Sequence, residues 1–305
     1  MLIRGRKFFA AVSIFVLVVS GLGDALVRQS IPRAEAAQAT IDANANAIAT
    51  AHIQAGTQTV FIDDQTGYKF YVDAPGYCVY RKTTDGGTSW SASTTVDSQP
   101  DCTAISVWYD RWTPGDTGNY IHIATLDTSV DDIFYNRLDT NGDNLLFLSG
   151  NPVDVSTNST NSIVTVTAGA NFVSITKGTD GTIYTGTADA SDSYVVECSA
   201  SCNLAASWTE TGRTPFGLLN DYIILLPLAG GSIMAIQRMT VDTANDIRSI
   251  IWNNSTWNST TTIDANAPDN TLYDVGMAAT VSSSTPGRVY LAYIAGNAAL
   301  GADDQ

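Results

Sequence analysis

Two arginines stand in matching settings along the chain: Arg111 in Arg111-Trp-Thr-Pro-Gly115 and Arg213 in Arg213-Thr-Pro-Phe-Gly217. Each lies ten residues before an isoleucine, Ile121 and Ile223, that heads a β-branched run. A guanidinium is a planar fork that grips a carboxylate with two parallel hydrogen bonds, so two of them converging on one point would hold an acidic ligand. Tyr109, Asp110, Trp112 and Asp116 share the first loop. They complete a candidate set: carboxylates for acid/base work in Asp110 and Asp116, and aromatic faces for a sugar ring in Tyr109 and Trp112. The competing reading is that each arginine only ties down its own loop.

Metal chemistry is not expected. Asp139-Thr-Asn141-Gly-Asp143 has the spacing of the first three ligands of a calcium loop, but Asn144 stands where that loop needs glycine and Gly150 where it needs glutamate. Asn141-Gly142 reads instead as a hairpin turn. The only histidines, His52 and His122, sit at no zinc-ligand spacing. No cofactor motif occurs. The four cysteines, Cys78, Cys102, Cys198 and Cys202, read as disulfides in an exported chain. Three connectivities are possible. The local one, Cys78–Cys102 with Cys198–Cys202, is the simplest, and closing its longer loop would contribute about 3 kcal/mol.

The elements that must carry these residues are strands. Of 30 acidic residues only Glu35, Glu197 and Glu210 are glutamates, lysines number four, and charged residues are 15% of the chain. Helix formers are therefore scarce, while Thr, Ser, Asn and Gly abound, which excludes a helical bundle or an alternating α/β enzyme. Apolar or alternating runs at 120–126, 171–175, 222–226 and 288–294 are followed by turn clusters, and the first three then by second runs at 133–138, 182–186 and 232–236. These are hairpins. Ile121 to Phe172 and Phe172 to Ile223 are both 51 residues, and Ile223 to Tyr290 is 67, so one unit carries an insertion. Strands grouped in fours at about 40–50 residues are the mark of propeller blades. On this register Arg111 and Arg213 both enter a first strand and share one face.

The sharpest local motif is Thr83-Thr-Asp85-Gly-Gly87-Thr-Ser89-Trp90, a hairpin turn in which a carboxylate accepts backbone N–H groups and glycine supplies positive φ. A degraded copy runs from Ser201 through Asn203 and Ser207 to Trp208. Here the chain resembles the BNR or Asp-box repeats of sialidases and related β-propellers, over residues 58–305. The resemblance implies a sialidase-like propeller of four-stranded antiparallel blades, with Asp85 structural and placed away from the site. It also implies a cluster of three arginines on a sugar carboxylate, a Tyr–Glu nucleophile pair and an Asp acid/base. The chain departs from that pattern. No arginine-Ile-Pro motif opens the repeats, and Glu210 is the one candidate partner for a tyrosine nucleophile. Four units and the start of a fifth, opening at 289–294, are counted where the resemblance implies six, so the expected propeller is incomplete.

Arg4, Arg6 and Lys7 precede the apolar run 8–19, which reads as a secretory signal or anchor over 1–36, with 37–57 a linker or short helix. The formal charge of −15 becomes −18 without residues 1–36. Such a surface excludes nucleic acid as a partner. It leaves acidic glycans or surface proteins, and a membrane only through an uncleaved anchor. The expected function is an exported glycan- or protein-binding propeller. A sialidase-type hydrolase and a structural adhesion repeat are the alternatives.

Overall fold

The structure, a computed structural model, describes residues 39–43, 45, 58–99, 102–127, 132–147, 152–158, 161–162, 172–188, 193–211, 223–238, 247–265, 277–282 and 287–293. The expected export segment, and all of 37–57 except 39–43 and 45, lie outside the described residues. Contacts divide the chain into Met1–Ala39 and Thr40–Gln305, and every sheet belongs to the second unit.

The protein is all-β, and each sheet is antiparallel. The first contains β1 (Thr59–Phe61), β2 (Gly67–Val72), β3 (Cys78–Thr83) and β4 (Thr94–Asp97), paired in chain order. The second contains β5 (Cys102–Tyr109), β6 (Tyr120–Asp127), β7 (Asp132–Asp139) and β8 (Asn144–Leu145), with β9 (Val153–Asp154) also on β7. A two-stranded ribbon follows, β10 (Thr157–Asn158) and β11 (Asn161–Ser162). The third sheet is β12 (Val173–Lys177), β13 (Ile183–Ala188), β14 (Ser193–Cys198) and β15 (Thr209–Glu210). The fourth is β16 (Ile223–Pro227), β17 (Ile233–Arg238), β18 (Ile247–Trp252) and β19 (Thr261–Asp264), and the fifth pairs β20 (Met277–Val281) with β21 (Val289–Tyr293).

Alternation along the strands explains how the sheets stack. On one face of the second sheet Ile105, Val107, Ile121 and Ile123 pack on Val60, Tyr68, Phe70 and Tyr80 of the first. On the other, Ala104, Ala124, Leu126 and Ile133 pack on Val173, Ile175 and Val196 of the third. The third and fourth share Tyr184, Val195, Leu225 and Ile233. Face-to-face succession of four-stranded antiparallel sheets is the propeller architecture, and among the described residues the sheets do not close into a ring. A fully buried side chain such as Ile121 or Ile133 contributes about 1.5–3 kcal/mol. Since β6 is buried on both faces, any polar side chain on it must bring its own hydrogen-bond partners.

The hairpins fall where the apolar runs predict, but their phase within each sheet differs. Residues 120–126 form the second strand of their sheet, because β5 precedes them, and 289–294 does not open a sheet, because β20 does. By contrast, 171–175 and 222–226 mark first strands. The repeat of 51 residues therefore compares a second strand with a first. Arg111 follows the first strand of its sheet, whereas Arg213 precedes one. The 51-residue register therefore does not by itself make the two arginines equivalent, and Arg213 lies outside the described residues.

The connections between third and fourth strands carry the turn motifs. In residues 83–90 both carboxylate oxygens of Asp85 are used. Oδ1 accepts the Thr83 hydroxyl at 2.8 Å and the Ser89 N–H at 2.9 Å, and Oδ2 accepts the Ser89 hydroxyl at 2.6 Å. Gly86 and Gly87 take φ of 68° and 91°, and Trp90 is half-buried. In the third sheet the corresponding connection has Asn203 for the aspartate, and the Cys198–Cys202 disulfide closes the turn instead. Trp208 there is fully buried, its indole N–H on the Cys202 carbonyl at 3.1 Å. The Cys78–Cys102 disulfide ties the first sheet to the second, and no described cysteine is free. Residues 140–143 form the β7–β8 turn.

The bonds from Ser89 and Thr83 hold the Asp85 carboxyl down at about 2. A depressed folded pKa means stability that is present above the unfolded value and lost as pH falls through the folded one. Asp85→Ala is therefore expected to lower Tm by roughly 2–4 °C at neutral pH. The gap to wild type should narrow in acid, and calorimetry at several pH values checks both.

Candidate functional site

β6 carries three buried polar residues, His122, Thr125 and Asp127, and His122, 3% exposed, lies toward the third sheet's side of the hairpin. Its register partner across the hairpin is Arg137, and Ala124 opposes Tyr135, so Tyr120, His122, Tyr135 and Arg137 share one face of the second sheet. His122 Nδ1 lies 2.8 Å from the Tyr135 hydroxyl and Nε2 lies 2.9 Å from Asp110 Oδ1. An ionised carboxylate only accepts, so Nε2 carries the proton and Nδ1 accepts from the tyrosine. Burial lowers the pKa of the imidazole and keeps it neutral, and burial pushes the Tyr135 phenol well up.

Asp110, fully buried, begins the short 3-10 turn Asp110–Trp112 at the end of β5. Its Oδ1 also pairs with Lys177 Nζ at 2.6 Å, and its Oδ2 accepts the Tyr120 N–H at 2.9 Å. Burial opposes the ionised form, but His122, Lys177 and the Tyr120 N–H outweigh it and hold this carboxyl well below the usual range. A side chain at Gly118 would overlap the Asp110 carboxylate, so glycine is needed there for the loop to close over it. Lys177 ends β12 in the third sheet and also pairs with Asp116 at 2.8 Å. Thr113 links the same sheets: its hydroxyl accepts the Trp108 indole N–H at 2.9 Å and donates to the Lys177 carbonyl at 2.8 Å.

Beside this network a cavity of about 290 Å³ opens between the second and third sheets. Tyr120, His122, Tyr135, Arg137 and Lys177 line one side, and residues 199–203, closed by the Cys198–Cys202 disulfide, line the other. The half-buried Arg137 guanidinium lies 4.1 Å from the centre of the Tyr120 ring, a cation–π contact. It has no carboxylate or hydrogen-bond partner among the described residues. No Asp or Glu is among the described lining residues.

The residues singled out from sequence fall differently. Asp110 and Asp116 join the network behind the cavity. Arg111 is exposed, lies outside the cavity lining, and bonds its own loop through the Gly118 carbonyl at 3.3 Å and Asn119 Oδ1 at 2.6 Å. Tyr109 is buried toward the first sheet, and Trp112 packs edge-on to both Trp108 and Tyr109. Glu210 is exposed on β15 and does not line the cavity. Arg213 lies outside the described residues, as do the β6–β7, β13–β14, β15–β16, β17–β18 and β19–β20 connections. The cavity thus sits at the end of the sheets that carries the Asp85 turn. His122, Tyr135, Arg137 and Lys177 were not singled out. For three of them a signal existed: polar residues alternating inside two otherwise apolar runs that form one hairpin.

No family model and no curated protein sequence matches the chain. AofleA from Arthrobotrys oligospora is similar in structure at a TM-score of 0.52 and 12% identity, over 76% of this chain and 62% of that one. A saccharide-bound ulvan lyase, described as a new family of polysaccharide lyase, matches at 0.47 and 10% identity, over 78% and 64%. The intramolecular trans-sialidase from Ruminococcus gnavus matches at 0.42 and 15%, over 74% and 47%. The chain spans less than two thirds of each of these structures. The four-stranded antiparallel sheets described above are those of a β-propeller fold.

Proposed function

We propose that this chain is an exported β-propeller that binds an acidic sugar in the cavity between its second and third sheets. The carrying observation is Arg137. In a protein of net charge −15, a half-buried guanidinium on a cavity wall with no described carboxylate lining it is a vacant fork for one. The Tyr120 ring lies against this guanidinium, and no described acceptor takes its nitrogens. The cavity is large enough for one monosaccharide unit, and the two disulfides support export. The Asp85 turn supports kinship with the Asp-box propellers, but the recognition set is not the one that resemblance implies, because Arg111 is engaged elsewhere. A sialidase-type hydrolase is the less favoured reading, since neither Glu210 nor any other described carboxylate reaches the cavity.

Calorimetric titration with sialylated, uronate-bearing and neutral oligosaccharides tests the reading. Acidic sugars should bind and neutral ones should not. Arg137→Ala should weaken binding about tenfold to a hundredfold, the ~1.5–3 kcal/mol of a hydrogen bond to a charged group. Arg137→Lys should not rescue it. Equal binding of neutral sugars, or an Arg137→Ala variant with unchanged affinity, refutes the assignment.

A further inference from the structure

We propose that the Cys198–Cys202 disulfide is a redox gate on the cavity: intact, it holds the wall opposite Arg137, and its reduction by a low-molecular-weight thiol loosens that wall and weakens the hold on an acidic sugar. The inference rests on the acidic-sugar reading and names the regulation of that site. Equivalent turns differ in how they are held. Four sheets have a connection between their third and fourth strands, and three hold it with a side-chain oxygen on the backbone. Asp85 Oδ1 accepts the Ser89 N–H at 2.9 Å, Asp139 Oδ1 accepts the Asn141 N–H at 3.0 Å, and Asn253 Oδ1 accepts the Thr256 N–H at 2.9 Å. In the third sheet Asn203 makes no such bond among the described residues, and the disulfide takes its place. The same turn supplies residues 199–203 to the cavity wall, and no residue of the other three turns is among the described lining.

Without the disulfide little else fixes this wall. Ser199, Ser201 and Asn203 are exposed, and their side chains have no hydrogen bond among the described residues. Among those residues one backbone bond holds the segment, from the Leu204 N–H to the Ser201 carbonyl at 2.9 Å, and the Trp208 indole N–H adds a second tie at the Cys202 carbonyl. Ser201 takes φ of 55°, a left-handed conformation that a residue with a Cβ avoids unless its surroundings impose it. A short covalent loop is such a constraint. With it, two hydroxyls and an amide stand ready for the hydroxyl groups of a sugar whose carboxylate sits on Arg137, and binding carries little ordering cost. Once it is cut, the sugar must order the loop itself, and affinity drops.

Access separates the two disulfides. Cys78 and Cys102 are both buried, whereas Cys198 is buried and Cys202 is half-buried on the cavity wall. Thiol–disulfide exchange needs a thiolate to reach a sulfur, so a small thiol meets Cys202 first. Its thiolate attacks Cys202 Sγ, the bond between the two Sγ atoms breaks, and Cys198 leaves as a thiolate that takes a proton from solvent. A second thiolate then attacks the sulfur of the attached small thiol, and Cys202 leaves and is protonated in turn. Two small thiols have become one disulfide, and the protein has gained two electrons and two protons. In oxidising surroundings the bridge persists and the wall stays ordered, while thiol-rich surroundings loosen it.

The test incubates the full chain with reduced glutathione, maps free thiols by mass spectrometry, and titrates the same sample with sialylated and uronate-bearing oligosaccharides by calorimetry. Cys198 and Cys202 should become free thiols while the Cys78–Cys102 bridge stays intact. Affinity should fall about tenfold, the scale of ordering one or two side chains on binding, and reoxidation should restore it. A double variant, Cys198→Ser with Cys202→Ser, should bind like the reduced chain and ignore glutathione. Hydrogen exchange of residues 199–204 in the wild-type chain needs neither variant nor sugar, and should quicken on reduction. A reduced Cys198–Cys202 pair with unchanged affinity, a pair that glutathione leaves intact in the folded chain, or exchange unaltered by reduction overturns the gate and leaves the sugar site standing. Failure of the oxidised chain to bind any acidic oligosaccharide overturns both.

Discussion

Asp110→Ala is expected to be the most damaging single substitution in the described structure, at about 3–5 kcal/mol, because it removes one partner of a buried ion pair and leaves two further donors without their acceptor. Three donors lose their acceptor at once: the His122 ring N–H, the Lys177 ammonium and the Tyr120 N–H. Lys177 keeps only Asp116, and His122 keeps only its bond to Tyr135. The loss should appear as a Tm lowered by roughly 10–15 °C. Its pH dependence has a definite sign. The folded pKa of Asp110 is depressed, so its contribution is present above the unfolded carboxylate value and is lost as pH falls from there through the lower folded one. Wild type and variant should therefore converge in acid. A double-mutant cycle with Lys177→Met should show strong coupling, since removing both partners leaves less unpaired than removing one. Additive effects, or a change in Tm of only a degree or two, would mean that the network does not hold the second and third sheets together.

The same residues show where sequence reasoning reaches and where it stops. Short alternating runs and turn chemistry are local, so hairpins such as 120–126 with 133–138 are readable from residue types alone. The phase of a hairpin within its sheet is not local. A first and a second strand, both buried on two faces, carry the same apolar pattern, and the 51-residue spacing from Ile121 to Phe172 matched one kind with the other. The pairing of Arg111 with Arg213 is drawn from that register, and Arg213 lies outside the described residues. His122, Tyr135 and Arg137 lie on two arms of one hairpin, and register alone brings them together. A histidine judged only for zinc spacing gives no hint of that, although its position in a doubly buried strand demands partners. Lys177 comes from another sheet, 67 residues beyond Asp110, and only packing between sheets delivers it. The cysteine pairs were easier, since each disulfide closes a short loop.

Asp97→Asn, in contrast, is expected to stabilise the protein at neutral pH. Asp97 ends β4, is fully buried, and has its carboxyl pushed up to about 6, first by desolvation and further by the nearby charge of Asp127. Two hydrogen bonds, from the Thr125 hydroxyl at 2.6 Å and the Gln99 N–H at 3.0 Å, recover only part of that cost. The sign is opposite to that of Asp110. A folded pKa above the unfolded value of 3.8 means that the favourable contribution is present in acid and is lost as pH rises through about 6. At pH 7 the ionised, buried carboxylate then costs up to about 3 kcal/mol relative to its neutral form. Asparagine is the neutral isostere. Its carbonyl can accept the Gln99 N–H, and its amide can donate to the Thr125 oxygen once that hydroxyl rotates. Denaturation at a series of pH values should show the variant more stable than wild type above pH 6, with the advantage shrinking toward pH 4. A variant destabilised equally at all pH values would show instead that the charged hydrogen bond to Thr125 outweighs the desolvation of Asp97.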